Sequence, residues 1–179
     1  NSVNSDKYPL NFSTIERKRT YHDGYVFEGD IIQSKRERTN MQKELTYEDI
    51  LIGDTAAFSK TISEFDIYQF AGITGDFNPM HIDETFADTT IFKERIAHGI
   101  LAGSFISTVL GMKLPGPNTI YLSQNLKFTA PVKIGDTVKA VVEVMEKQDD
   151  KKFIKLKTQV FNQNEVMVVD GEALVMKKY

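Results

Sequence analysis

Hydrophobic and polar positions alternate most clearly in the last third of the chain. Val138, Ala140, Val142 and Val144 take every second position between Thr137 and Lys147. Ile154, Leu156, Thr158 and Val160 do the same between Phe153 and Phe161, against Lys155, Lys157 and Gln159. A period of two marks a strand with one buried face. Thr119 to Phe128 and Val166 to Met176 read as two more strands, the last with a bulge at Gly171. Gln148 to Lys151 and Asn162 to Asn164 are short links, and short links between neighbouring strands predict an antiparallel sheet.

The upstream pattern differs. Ala97 to Leu110 has almost no charge and is apolar nearly all round, which predicts a helix buried on most sides. Gly103, Ser104 and Ser107 would allow close approach of another group, and Pro115-Gly116-Pro117 ends the helix. Ala56 to Ile62 reads as a strand that follows a turn at Tyr47 to Asp54. Ser63, with Asp66 three positions on, reads as a helix start close to a capping box. Phe65, Phe70, Ala71 and Ile73 would point inward from that helix, and Gly72 and Gly75 would end it. Asp83 to Glu94 reads as short helical turns. One long apolar helix beside a curved antiparallel sheet predicts an α+β fold in which the sheet wraps the helix.

Residues 1–46 are polar, with clustered charges at Glu16 to Arg19 and Lys35 to Arg38. They read as an extension, an arm or a linker, in which Tyr21, Tyr25, Val26, Phe27, Ile31 and Ile32 could dock on another surface. Acidic residues interleave with the basic ones, and the net charge of the chain is −3, which argues against nucleic acid as a partner. The 179 residues suffice for one domain, 47–179, plus that appendage. The absence of cysteine excludes disulfides, a thiol nucleophile and thiolate metal sites. No apolar run reaches the roughly 18 residues of a membrane span, and no signal-peptide pattern opens the sequence. A cytoplasmic protein with no membrane partner is the expectation.

The stretch with the most chemistry is Thr74-Gly-Asp-Phe-Asn-Pro-Met-His-Ile-Asp83. Asp76 and His81 stand five positions apart around an Asn-Pro pair, which predicts a rigid loop that bars a regular helix. A loop projecting a carboxylate and an imidazole suits acid–base work. A turn residue and a structural histidine are the plainer reading, and the spacing alone does not exclude it.

Three segments together resemble the MaoC-like dehydratase family, most closely its (R)-specific enoyl-CoA hydratases. They are Gly75 to Asp83, Ile96-Ala-His-Gly-Ile-Leu-Ala-Gly-Ser104 and Tyr121-Leu-Ser-Gln-Asn-Leu-Lys-Phe128. The resemblance spans about residues 46–179. It implies the hot-dog fold, an antiparallel sheet wrapped around one helix and paired into a homodimer or a dimer-based oligomer. It places the family's catalytic Asp and His on Asp76 and His81, its active-site Ser on Ser107 and its oxyanion glycine on Gly99. The extension of some 45 residues departs from single-domain members.

Hydration of a trans-2-enoyl thioester needs a base and an acid beside one water, and a donor aimed at the thioester oxygen. Asp76 and His81 suit the first task. Gly99 suits the second, because N–H groups at a helix start are unpaired. Asn78 would orient the loop or the water, or close an Asx turn. His98 would contact substrate or fix the helix start. Ser107 is either a polar active-site group or a packing residue back-bonded to a carbonyl. Asp83 reads as a cap or a solvated carboxylate. No metal is implied, since the three histidines are not at ligand spacing along the chain. No further cofactor is implied either, coenzyme A being part of the substrate. Lys93, Arg95, Lys113 and Lys127 are candidates for its phosphates, against the plainer reading of each as a solvated surface charge. Bulk at Phe86, Ile91, Phe92 or Leu101 would favour short acyl chains. Two alternatives compete. A non-catalytic acyl-CoA-binding regulatory module would not need both Asp76 and His81. An acyl-CoA thioesterase would need a carboxylate on the apolar helix, and Ala97 to Leu110 has none.

Overall fold

The computed structural model describes residues 20–22, 25–26 and 44–178. Seven strands form one sheet in the order β2-β1-β3-β5-β6-β7-β4. They are β1 (Thr20–His22), β2 (Tyr25–Val26), β3 (Thr55–Thr61), β4 (Thr119–Phe128), β5 (Thr137–Gln148), β6 (Phe153–Phe161) and β7 (Met167–Lys177). The four helices are α1 (Glu64–Thr74), α2 (Pro79–Ile82), α3 (Glu84–Thr89) and α4 (Gly99–Met112). From β3 to β4 every pairing in the sheet is antiparallel. This is the expected α+β hot-dog arrangement, with α4 packed against the inner face of the sheet.

The alternation in β5 and β6 has the anticipated cause. Val138, Ala140, Val142, Val144, Ile154, Leu156, Thr158 and Val160 are each at most 1% exposed, on the face that meets α4. From the helix come Leu101, Ala102, Phe105, Ile106, Val109 and Leu110, in one continuous core with them. The expectation that α4 is buried on most sides needs correction. Ile100, Ser104, Ser107 and Met112 are exposed, so one face of α4 is open in the single chain. Serine is near neutral in hydropathy, and an apolar run with serines on one side reads as buried whichever way that side faces.

Three local readings change. α1 starts at Ser63 as expected: its Oγ accepts from Asp66 N at 3.3 Å, and Asp66 Oδ2 accepts from Ser63 N at 2.8 Å. Gly72 does not end it, however; the end is Gly75, at φ 78°, whose N–H donates to Ala71 O. Ile67 and Ala71 face the core, whereas Phe65 and Ile73 are 66% and 81% exposed. The Asn-Pro pair starts a helix where it was expected to bar one. Asn78 is the N-cap of α2, its Oδ1 accepting from Met80 N at 3.1 Å, and Pro79 takes the first helical position, where no N–H is needed. Gly171 is not a bulge. It pairs in register with Leu126 and Thr158, and the register shifts fall between Tyr121 and Ser123, Val144 and Glu146, and Val160 and Phe161.

The segment before β3 is clamped from behind. Lys147 Nζ donates to Tyr47 O at 2.7 Å and Ile50 O at 2.6 Å. The buried Tyr47 donates its OH to Asp149 at 2.9 Å. The fully buried Lys177 binds Glu44 Oε1 at 3.1 Å and the Pro117 carbonyl. Of residues 1–46, β1 and β2 extend the sheet beside β3, with Thr20 opposite Thr55 and Tyr21 opposite Ala56. The docking expected of Tyr21 to Ile32 otherwise lies outside the described residues.

Candidate active site

Asp76 lies just beyond the left-handed cap of α1, and two neighbours hold it. Its N–H donates to Thr74 Oγ1 at 3.2 Å, and its Oδ1 accepts from Asn78 N at 3.2 Å. The Thr74 hydroxyl itself donates to Phe70 O at 2.7 Å. Asp76 keeps half of its side chain exposed. His81 stands on the single turn of α2, buried, with Nδ1 2.8 Å from Ile96 O. A carbonyl oxygen only accepts, so Nδ1 carries the hydrogen and Nε2 of the neutral ring carries the lone pair.

Burial is the main cause that pushes His81 below the ordinary 6.5, and the neighbouring His98 pushes the same way. The Ile96 carbonyl and Asp76 pull it back only in part. The ring is therefore neutral at pH 7. Between 6.5 and the lowered value, the unfolded chain binds a proton that the folded chain does not, so acid costs stability there. The same titration removes the Nε2 lone pair. An activity that needs it falls in acid with a midpoint below 6.5. The acid limb of a kcat/KM profile checks this, and a limb centred above 6.5 contradicts it.

His98 is the N-cap residue of α4, 3% exposed, and its ring lies against His81 with centroids 3.8 Å apart. Its Nε2 is 3.0 Å from Asp76 O. Asp76, His81 and His98 each bring a donor atom within 4.8 Å of the others. The spacing argument that set these histidines apart holds along the chain and fails in space, because α2 and the start of α4 meet. Two of the four ring nitrogens are committed as donors to carbonyls. That leaves one lone pair per ring and an exposed carboxylate, a set rich in proton-transfer groups.

Gly99 opens α4, so its N–H has no carbonyl partner inside the helix. A Cβ at Gly99 would sit 2.9 Å from the Phe128 ring, and one at Gly103 2.9 Å from Leu126 Cδ1. The two glycines let β4 lie directly on the helix. A cavity of about 440 Å³ runs along this contact, with His81, Phe92, Ile96, Gly99, Ile100 and Phe128 among its lining. The imidazole and the helix N-terminus thus share one apolar wall.

Other expected residues fall elsewhere. Ser107 is about 12 Å along the axis from Gly99, on the open face of α4, and does not line the cavity. The Asn78 side chain caps α2, and its main chain is what reaches Asp76. Asp83 caps α3 through Phe86 N at 3.0 Å, as expected. Of the chain-length residues only Phe92 lines the cavity: Phe86 and Ile91 are exposed, and Leu101 is in the core. Arg95 is paired with Glu64 at 2.6 Å, Lys113 Nζ with Ala57 O at 2.7 Å and Lys93 Nζ with Asp88 O at 3.1 Å. Lys127 lines a surface depression with Met145, Lys157, Asp170 and Glu172. Two contributors went unread in the sequence, the Ile96 carbonyl and Phe128, because main-chain acceptors and cross-sheet ring contacts leave no local pattern.

The MaoC like domain family matches residues 48–166. The chain belongs to the MaoC-like dehydratase family. It is 54% identical over 130 residues to an (R)-specific enoyl-CoA hydratase of Rhodospirillum rubrum, covering 73% of this chain and 90% of that protein. It is 48% identical over 131 residues to a 3-hydroxybutyryl-CoA dehydratase of Methylorubrum extorquens, covering 73% and 83%. Among solved structures, an unliganded R-hydratase from Pseudomonas aeruginosa superposes with a TM-score of 0.72 at 48% identity, covering 75% of this chain and 86% of the other.

Proposed function

We propose that this chain is an (R)-specific enoyl-CoA hydratase, adding water reversibly to a short trans-2-enoyl-CoA to give the (R)-3-hydroxyacyl-CoA. The observation that carries the reading is the placement of His81 and Gly99 on the wall of one apolar cavity, with Asp76 beside the imidazole. The names of the R. rubrum and M. extorquens relatives supply the thioester class.

The chemistry follows from the site. Water is held between the Asp76 carboxylate and the Nε2 lone pair of His81. Its oxygen bonds to C3 of the enoyl group as its proton passes to the pair. The C2–C3 π electrons move toward the thioester, and the charge on its oxygen is met by the Gly99 N–H and the positive end of α4. The pair returns a proton to C2. Protons balance within the site, so neither a metal nor a further cofactor takes part. Residues 47–179 form the catalytic unit, with residues 1–46 an appended arm.

A homodimer completes the fold in this reading. β4 is an edge strand with Ile120, Tyr121, Leu122 and Phe128 exposed, next to the open face of α4. Long apolar edges are normally covered by pairing. We place the protein in the cytoplasm; among the described residues no helix is long and apolar enough to cross a membrane.

The test is hydration of crotonyl-CoA, followed by loss of enoyl absorbance with the product's chirality assigned. The expected product is (R)-3-hydroxybutyryl-CoA, formed faster than products of longer acyl chains. An (S) product, or no turnover at any chain length while CoA thioesters still bind, overturns the reading.

A further inference from the structure

His98 makes contacts that no packing role requires. A carbonyl only accepts, so its Nε2–H donates to Asp76 O, across 22 positions of sequence. One face of its ring lies on His81, and Phe70 packs 5.0 Å from its centroid. Its main-chain carbonyl accepts from Leu101 N at 3.0 Å and Ala102 N at 3.4 Å, which starts α4 one residue before Gly99. The remaining nitrogen, Nδ1, is buried with no hydrogen-bond partner among the described residues. An unpaired buried nitrogen is costly. A phenylalanine would fill the same space without that cost, so the polar edge of the ring is there for its bond to Asp76.

We propose that His98 is a positioning residue for the hydration: its flat face sets the His81 ring, its Nε2–H sets the Asp76 main chain, and its peptide sets Gly99. The proposal rests on the hydratase reading. The two simplest replacements each keep one contact and lose the other. Gln carries a donor of similar reach but has no ring, and Phe has the ring but no donor. An error of about 1 Å in placing an acid–base pair costs on the order of 100-fold in rate.

The test uses His98→Phe and His98→Gln in the full chain. Each lowers kcat on crotonyl-CoA by about 10- to 100-fold and changes KM by less than about threefold, since neither removes a group that touches substrate. A second readout separates positioning from mere support: kcat is expressed per folded molecule, with the folded fraction taken from circular dichroism at the assay temperature. A supporting role alone would lower the folded fraction and leave that rate at the wild-type value. Wild-type kcat in a folded variant overturns the proposal.

A measurement on the wild type decides the matter even if both variants fail to fold. Long-range nitrogen–proton NMR identifies the tautomer of each histidine. The proposal requires Nε2–H on His98 and Nδ1–H on His81, and Nδ1–H on His98 sinks it. Failure of the hydratase reading would show separately, as a wild type without turnover and with these tautomers intact.

Discussion

Replacing Asp76 by Asn lowers kcat on crotonyl-CoA by about 10² to 10⁴, the range for loss of a positioned acid or base. That loss corresponds to about 2.7 to 5.4 kcal/mol of transition-state stabilisation at 1.36 kcal/mol per tenfold. The substitution suits the question because it is nearly isosteric. An amide oxygen can still accept from Asn78 N, as Asp76 Oδ1 does at 3.2 Å, so the turn after α1 keeps its shape. What disappears is the ability to take a proton and the charge next to His81. His81→Ala produces a loss of the same order. Because the two groups share one water, the double variant is little worse than the poorer single one, which is how residues acting as a unit behave. Steady-state rates with wild type, both singles and the double decide this. A folded Asp76→Asn protein within threefold of wild type refutes the assignment, and losses that multiply in the double variant refute the shared water.

Gly171→Ala has the largest effect expected on stability. A Cβ at Gly171 would fall 2.0 Å from Asn125 O and 3.1 Å from Gln124 Nε2. The carbonyl belongs to β4, which pairs with β7 in continuous register on both sides of this point. Backbone fixed by ladder bonds cannot yield as a side-chain tip can, so relief requires β4 and β7 to separate locally. The cost is about 3 kcal/mol or more, at the upper end for overpacking. For a chain of this size that lowers the melting temperature by about 6 to 12 °C. Thermal unfolding of the variant beside Gly72→Ala checks it. Gly72 lies within α1, with nothing within 4 Å of an added Cβ, so alanine there stabilises by about 0.8 to 1 kcal/mol. A Gly171→Ala melting temperature within 2 °C of wild type shows that the strands accommodate the methyl.

These two cases mark what the sequence conveys and what it withholds. The strands β5 and β6 were legible because burial on one face writes itself as alternation, and Val138, Ala140, Val142 and Val144 are indeed inside. The start of α1 was legible because Ser63 and Asp66 satisfy each other within three residues. Asp76 and His81 stood out because their loop is chemically unusual within ten residues. Gly171 was misread because a glycine in a strand signals either a bulge or a close approach, and only the partner strand decides. The order of strands was hidden for a similar reason: short links disclose β5-β6-β7, but nothing local places β4 beside β7 or β3 beside β5. Phe65 and Ile73 were placed inside on hydropathy, although the helix turns them outward. His98 was read as a substrate contact or a helix start and not as a partner of Asp76 and His81, since those contacts depend on where two distant turns land.

The contact between Lys177 and Glu44 has a consequence for chain connectivity. The two residues lie at opposite ends of the folded domain, yet their side chains meet at 3.1 Å. The domain is thus closed into a near-ring, which a short flexible linker could seal. The β5–β6 turn, where Asp149 to Lys152 are exposed or half-buried, offers a place to reopen it. A circular permutant beginning in that turn keeps the antiparallel pairings from β3 to β4, with Asp76, His81 and Gly99 left in their original order. It separates what the architecture requires from the order in which the ribosome delivers it.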